Sequence, residues 1–386
     1  MRKQGFMALC VSLILLSACA VNEPTPQQRD MEQWLETAGL DAKETPEELY
    51  TAALQENTLV IYSVTTRIFD VKESFERAYP GLTVEVKDIR QNDIHKAVEK
   101  NFQNRQYDCD IVICTDSDTE LSRRFIPNGI LYKYTPYDIA GKLLPGHDGS
   151  QLEFLGEAVQ LFYNDEVYDA SPVSNWWELT EPKFRGKVLI PAVPRSSTTF
   201  TLLGAMLQKN DEMAAAYQSL YGRKLEIPEG SSAGKIFWEM LMQNDAQLSN
   251  SSDEVVDAVG TPGQTDPPVG VMVSSKVRMR DIGFAVQPVY DIVPCAGVYV
   301  PNGVMIAGGA KNVSTAKLFI RWLLGEADGH GEGYKPFLQN GTWSVRSDVV
   351  SQTPFSLEDA GFWRIDKEFI GENRKDIEAF WLSLQQ

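Results

Sequence analysis

From about residue 57 onward, short apolar runs alternate with amphipathic stretches. LVIYSV (59–64) reads as an apolar strand, and DVKESFERAY (70–79) as a helix stopped by Pro80-Gly81. LTVEVKDI (82–89) reads as a second strand, Asn92 to Gln103 as a helix, and CDIVICT (109–115) as a third strand. Strand, helix, strand, helix, strand is the pattern of a parallel sheet with helices on its faces, so the expected class is α/β. EFLGEAVQLFYN (153–164) predicts a long strand leaving this unit, and NWWELTEPKF (175–184) begins a second one. VLIPAV (188–193) is a short strand leading into RSSTTFTLLGAMLQ (195–208), a helix start. Further helices are expected near 211–221 and 233–245. VGVMVSS (269–275) is a strand followed by the polar KVRMRD. FAVQPVY (284–290) and AGVYVPNGVMI (296–306) follow, and residues 316–324 and 375–384 close the chain as helices. There is no internal repeat.

The apolar pattern at the N-terminus is different. Arg2 and Lys3 precede an apolar run from Phe6 to Leu16, then Ser17-Ala18-Cys19. A basic start, a short apolar run and small residues before a cut site make residues 1–18 a signal peptide. The run is shorter than the ~20 apolar residues a spanning helix needs. Leu16-Ser17-Ala18-Cys19 also resembles the bacterial lipobox. That resemblance implies acylation of Cys19 and an extracytoplasmic chain anchored to a bacterial membrane. Two acyl chains hold firmly where one does not. Ala20 to Asp30, polar with two prolines, reads as a tether, and residues 31–55 as an added helical segment; together they make up 19–57. The remaining residues, roughly 330, exceed what one core usually organises. The expected division is a discontinuous first lobe (58–158 plus 296–386), a second lobe (159–295), and hinge strands near 153–164 and 288–300.

Charge narrows the partners. The formal net charge is −17, with 53 Asp+Glu against 36 Lys+Arg. General attraction to nucleic acid or to an anionic membrane surface is excluded, while a small anion met by local donors is not. Beyond Cys19 the mature chain keeps Cys109, Cys114 and Cys295. Cys109 and Cys114 share one strand about 16 Å apart, at ~3.3 Å per residue, too far for a bridge. Pairing of either with Cys295, or three free thiols, stays open.

Catalytic constellations are absent. His95, His147 and His330 belong to no HExxH pattern and are expected to be solvated or locally hydrogen-bonded. Gly230 to Lys235 falls one residue short of a phosphate loop, with Ile236 where a hydroxyl should stand; Ser231 or Ser232 fits a helix N-cap better. Gly230-Ser231-Ser232-Ala233-Gly234 spells GxSxG but follows no apolar strand, so no nucleophile elbow occurs. No enzyme, metal or cofactor is expected.

Four strand ends carry hydroxyls or cations instead. They are Thr65, Thr66 and Arg67; Thr115 and Asp116; Arg195, Ser196, Ser197 and Thr198; and Ser274, Ser275 and Lys276. Asn302 in PNGVMI completes the candidate set. Ligands of open α/β sheets gather at carboxyl ends of strands, where helix N-termini offer free N–H groups. Arg67, Arg195 and Lys276 are the candidate charges. Asp116 could accept from a ligand hydroxyl or ammonium, or cap a helix. Trp176-Trp177 fits packing at the entrance to the second lobe better than stacking on a sugar.

The segment order resembles the bacterial extracellular solute-binding proteins of ABC importers, in the type II periplasmic-binding fold. Within them it is similar to the branch that includes ferric-iron, sugar-phosphate and aminoethylphosphonate receptors. The stretches that carry this are LVIYSV (59–64), FERAYPGLTVEV (75–86), YDCDIVICTDSD (107–118), NWWELTEPKFRGKVLIPAVPRSST (175–198), VYVPNGVMIAGGAKNVSTAKLFIRWLLG (298–325) and ENRKDIEAF (372–380). The resemblance implies a monomeric receptor that closes two lobes over a solute and delivers it to a membrane permease with its ATPase. Ferric receptors of this kind use adjacent tyrosines after the VGVMV-like strand. Here that place reads Val273-Ser274-Ser275-Lys276-Val277-Arg278, and no tyrosine pair occurs in the chain. The expected solute is therefore a small anion, a phosphorylated sugar or a phosphonate. Ferric iron or its chelate, and a sensory role toward a membrane kinase, are the alternatives.

Overall fold

The computed structural model describes residues 25–147, 149–193 and 196–385. Cys19 and Arg195 lie outside the described residues, and so do the signal peptide and the start of the tether. Two short helices come first, α1 (Pro26–Ala38) and α2 (Pro46–Ala53). Each opens on the same device. Thr25 and Thr45 accept from the backbone N–H three residues on, while Gln28 and Glu48 reach back to the threonine N–H, with proline in the first turn. Thr25-Pro26 therefore starts a helix inside the stretch expected to be a tether. Gly39, at φ +53°, ends it in the left-handed region that glycine tolerates.

The first α/β unit runs β1 (Leu59–Ser63), α3 (Ile68–Ala78), β2 (Val84–Asp88), α4 (Gln91–Gln103), β3 (Ile111–Cys114) and β4 (Leu131–Tyr132). The long β5 (Leu152–Tyr163) leads out of it. Next come β6 (Val188–Pro191), α5 (Ser197–Gln208), α6 (Asn210–Tyr221), α7 (Ala233–Gln243), β7 (Gln247–Ser249), α8 (Ser252–Gly260), β8 (Val269–Val273) and β9 (Gln287–Pro288). The long β10 (Gly297–Ala307) returns, followed by α9 (Val313–Leu323), β11 (Trp343–Ser344), β12 (Phe362–Trp363) and α10 (Lys367–Ser383). The sheet path is β2-β1-β3-β10-β5-β8-β6-β7. β1 pairs parallel with β2 and β3, and β6 parallel with β7 and β8. The two long strands join the parallel sets, antiparallel to each other from Val298↔Val159 to Val304↔Leu152.

All twelve residues of β5 are buried, because both of its faces meet protein. Two cores divide the long strands between them. One gathers Ile61, Ile113, Phe154, Leu155, Val304 and Phe319; the other gathers Val159, Leu161, Trp177, Phe237, Val271 and Val300. Each crossover strand thus enters one core and leaves through the other. α10 follows the second core: Ile370, Ile377 and Trp381 are buried in it, with Trp381 packed against Trp238. Its polar face reaches the other way, pairing Lys367 with Asp116 and Arg374 with Asp118 and Glu120. The terminal helix expected with the first lobe thus spans both halves.

Several local features bear on these expectations. NWWELTEPKF forms two 3-10 turns, Trp176–Thr180 and Pro182–Phe184, in which both indoles are buried and donate to backbone oxygens of Cys295 and Met213. Ser232 is the cap of α7. His95 is buried on the inner face of α4, 3.6 Å from Asp118, rather than solvated. His147 is buried too, bonded to Glu153 at 2.7 Å, while His330 is exposed. Cys109, Cys114 and Cys295 are buried and unbridged. Burial pushes all three thiols up, Cys295 to about 12, which leaves them protonated and inert.

A polar cleft as the candidate binding site

The carboxyl ends of β1, β3, β6 and β8 open onto one cleft of about 540 Å³, within the range of small-molecule sites. On the first wall, Ser63 ties the turn after β1 by exchanging hydrogen bonds with the Thr65 backbone at 3.0 Å. The turn presents Thr65, Thr66 and Arg67 to the cleft. Thr115 follows β3, its hydroxyl fixed at 2.6 Å from both Gln91 Oε1 and Ser117 Oγ. On the second wall, Ser196 caps α5 and touches Thr198 at 2.8 Å, and Ser197 opens the helix. Ser251 caps α8, accepting from Glu254 N–H at 3.2 Å. After β8, Ser275, Lys276 and Arg278 complete that wall.

Ten candidates from the sequence meet in this cleft: Thr65, Thr66, Arg67, Thr115, Ser196, Ser197, Thr198, Ser275, Lys276 and Asn302. Two do not line it. Asp116 turns inward, accepting from the N–H groups of Leu121 and Ser122 and pairing with Lys367 at 3.0 Å; it caps the next helical turn. Ser274 is fully buried, accepting from Ala158 N–H and donating to the Gly341 carbonyl, and so pins the start of its turn to β5. Successive residues at a strand end point to opposite sides, so one member of each pair faces ligand and its neighbour faces protein.

The floor holds a group that the strand-end reading missed. Glu157, in the middle of β5, is only 7% exposed. Arg67 Nη2 donates to its Oε1 at 2.8 Å, and Asn302 Nδ2 to its Oε2 at 2.6 Å. Burial alone would raise this carboxyl; the Arg67 charge and hydrogen bonds from Ser275, Arg67 and Asn302 outweigh it and hold Glu157 below the usual carboxylate range. Arg67 also lies 5.0 Å from the centre of the Phe337 ring, while its Nη1 is buried without a partner. Arg278 donates to the Ser275 carbonyl at 2.9 Å and has no carboxylate partner among the described residues. Burial lowers its affinity for a proton, and the positive Arg67 lowers it further. Two guanidinium groups thus sense each other across one carboxylate. Lys276, by contrast, is taken by Asp253.

No aromatic ring, histidine or cysteine is among the described residues lining the cleft. Among the described residues no three His, Cys, Asp or Glu side chains gather where they could hold a metal ion, and no helix is long and apolar enough to cross a membrane.

The sequence profile of the family described as bacterial extracellular solute-binding protein matches residues 58–329. A curated relative, an uncharacterized protein of Haemophilus influenzae, is 27% identical over 150 residues, 39% of this chain and 36% of that protein. The chain thus spans about a third of the length of the curated relative it matches. Among solved structures, iron-bound HitA from Pseudomonas aeruginosa aligns with a TM-score of 0.65 at 14% identity, covering 86% of this chain and 100% of that one. The periplasmic binding protein AfuA from Actinobacillus pleuropneumoniae, with fructose-6-phosphate bound, aligns at 0.63 and 18% identity, covering 85% and 98%. The apo ferric ion-binding protein A of Pasteurella haemolytica gives 0.63 and 15%, with the same coverage. At these identities the likeness establishes the type II periplasmic-binding fold.

Proposed function

The chain belongs to the bacterial extracellular solute-binding protein family, and on that premise we propose that it is the receptor of an ABC importer for a small anionic solute, a phosphorylated sugar or a phosphonate. Lipid at Cys19 keeps it at the membrane, where it hands solute to a permease with its ATPase and turns nothing over. β5 and β10 act as the hinge: a ligand touching both walls favours the closed arrangement by its extra contacts there, a population shift.

The observation that carries the reading is the charge balance of the floor. Arg67 and Arg278 flank the cleft, Glu157 answers Arg67, and Arg278 is left facing a wall of hydroxyls. A phosphoryl group supplies the missing negative charge and several strong acceptors for Ser196, Ser197, Thr198 and Ser275. The sugar or alkyl part then lies toward Thr65, Thr66, Thr115 and Asn302. No phenolate or imidazole donor suited to bare ferric iron is among the described residues lining the cleft, so iron would have to arrive with its own anionic chelator.

The test is a thermal-shift screen on protein unfolded, stripped of carried-over ligand and refolded, against hexose phosphates, phosphonates, parent sugars, polyamines and ferric citrate. A ligand that binds only the folded state raises apparent stability, by about 2.7 kcal/mol at a hundred times Kd. A shift with a phosphate ester or phosphonate and none with the dephosphorylated parent is expected. A shift with ferric citrate alone overturns the phosphoryl reading.

A further inference from the structure

A second cavity of about 340 Å³ adjoins the cleft and shares Thr115 and Val300 with it. Its walls come from both halves. Gln151 precedes and Glu153 lies on β5, which enters the first core, whereas Thr201 lies on α5, and Arg364 and Lys367 precede and open α10, which packs on the second core. Most of its polar groups already answer one another. Glu153 holds His147 at 2.7 Å and the Tyr299 hydroxyl at 3.1 Å, and Lys367 holds Asp116 at 3.0 Å.

Two groups are not answered. Gln151 is 2% exposed, yet neither its amide oxygen nor its amide nitrogen has a hydrogen-bond partner among the described residues. A buried amide without partners is rare and asks for an explanation. The amide packs against Gly303, where a Cβ would stand 2.5 Å from the Gln151 amide carbon and oxygen and would push that side chain aside. The β5–β10 register also breaks between Asn302 and Gly303, beside that amide. Arg364 is the second. Its guanidinium lies 4.4 Å from the centre of the Tyr299 ring and forms no ion pair among the described residues. Tyr299, Pro301 and Ile365 make the rest of the wall largely apolar.

We propose that this cavity is a second binding site, for a small organic carboxylate, separate from the solute cleft. The carboxylate meets the Arg364 fork, whose geometry suits two parallel charged hydrogen bonds. The Gln151 amide takes a polar group deeper in, and the apolar walls take the carbon body. Because the two halves each supply one of these groups, a bound carboxylate draws them together and assists closure over the solute.

The experiment titrates stripped, refolded protein with acetate, succinate and benzoate at constant ionic strength, with benzamide as the uncharged control. Wild type is compared with Arg364→Met, Arg364→Lys, Gln151→Leu and Arg278→Met by calorimetry and thermal shift. At least one carboxylate is expected to bind while benzamide does not. Its affinity should fall about tenfold or more in Arg364→Met, the loss of a charged hydrogen bond, and less in Arg364→Lys. It should be unchanged in Arg278→Met, which separates this site from the cleft. Arg364 is exposed, so its variants test the site even where Gln151→Leu fails to fold. Binding lost in Arg278→Met and kept in Arg364→Met places the carboxylate in the cleft and overturns the proposal. So does the absence of binding by all three acids at millimolar concentration.

Discussion

Arg67 and Arg278 line the same cleft from opposite walls, with the same chemistry and different employment. Arg67 lies over Phe337 and is bound to Glu157 inside the protein, and its side chain is 12% exposed. Arg278 is half-buried, bonded among the described residues only to the backbone and hydroxyl of Ser275, and destabilised as a cation by burial and by Arg67. A paired buried charge is a structural element whose removal strands its partner. An unpaired, partly desolvated one is a charge held ready for something that arrives. The contrast separates a residue that shapes the site from one that reads the ligand, although both stand beside hydroxyls at strand ends.

Breaking the paired side has the largest expected effect. Arg67→Met leaves the Glu157 carboxylate buried without its cation and should lower unfolding stability by about 3–5 kcal/mol, read as a drop in denaturation midpoint. Removing Glu157 as well, in the Arg67→Met/Glu157→Gln double variant, should restore much of that loss, because no unpaired charge remains. If the single variant is as stable as wild type, Arg67 is free in solution and the distinction from Arg278 fails.

Lys276 sharpens the comparison with a smaller effect. Its side chain is 11% exposed, but its charge is answered by Asp253, which is 70% exposed. With that charge already answered, Lys276→Met should weaken solute binding less than Arg278→Met, by about fivefold or less, roughly 1 kcal/mol. A loss matching that of Arg278→Met would move the anion-reading role to Lys276.

A third pair extends the contrast to pH. Hydrogen bonding from Arg346 holds the Asp348 carboxyl down to about 2, with Lys142 adding to it. The folded-state value lies below the unfolded one of about 3.9. Its stabilisation is therefore complete above about pH 4 and is lost as pH falls toward 2. Asp348→Asn should be less stable than wild type near pH 7, with the difference narrowing below about pH 4. A gap that stays constant from pH 7 to pH 2.5 would mean the carboxylate is not held by Arg346.

What could be read from the sequence divides along the same line. The strand ends were legible because apolar runs such as LVIYS and VGVMV stop abruptly at hydroxyls and cations, and nine of the residues named there do line the cleft. Glu157 was hidden because β5 is buried on both faces and carries no alternation that marks a special position. Its signal was an acid inside an apolar strand, which needs an internal partner. Arg278 lay one turn beyond the strand end, within a 3-10 segment (Ser274–Ile282) that periodicity does not announce. α8, which brings Ser251 and Asp253 to the cleft, went unread although Ser251 and Glu254 form a helix-start pattern before Val255 and Val256. The role of α10 in both halves follows from tertiary packing and was not legible in local pattern.

The most direct test of the account is a calorimetric titration of stripped, refolded protein with the phosphate ester or phosphonate that stabilises it most, in wild type and in Arg278→Met. The account predicts saturable binding by wild type, weakened about tenfold or more in Arg278→Met as a charged hydrogen bond is lost, with the variant's melting temperature without ligand at or above that of wild type. Equal affinity in both proteins would contradict it, because Arg278, a cleft cation with no carboxylate partner among the described residues, would then have no part in holding the solute.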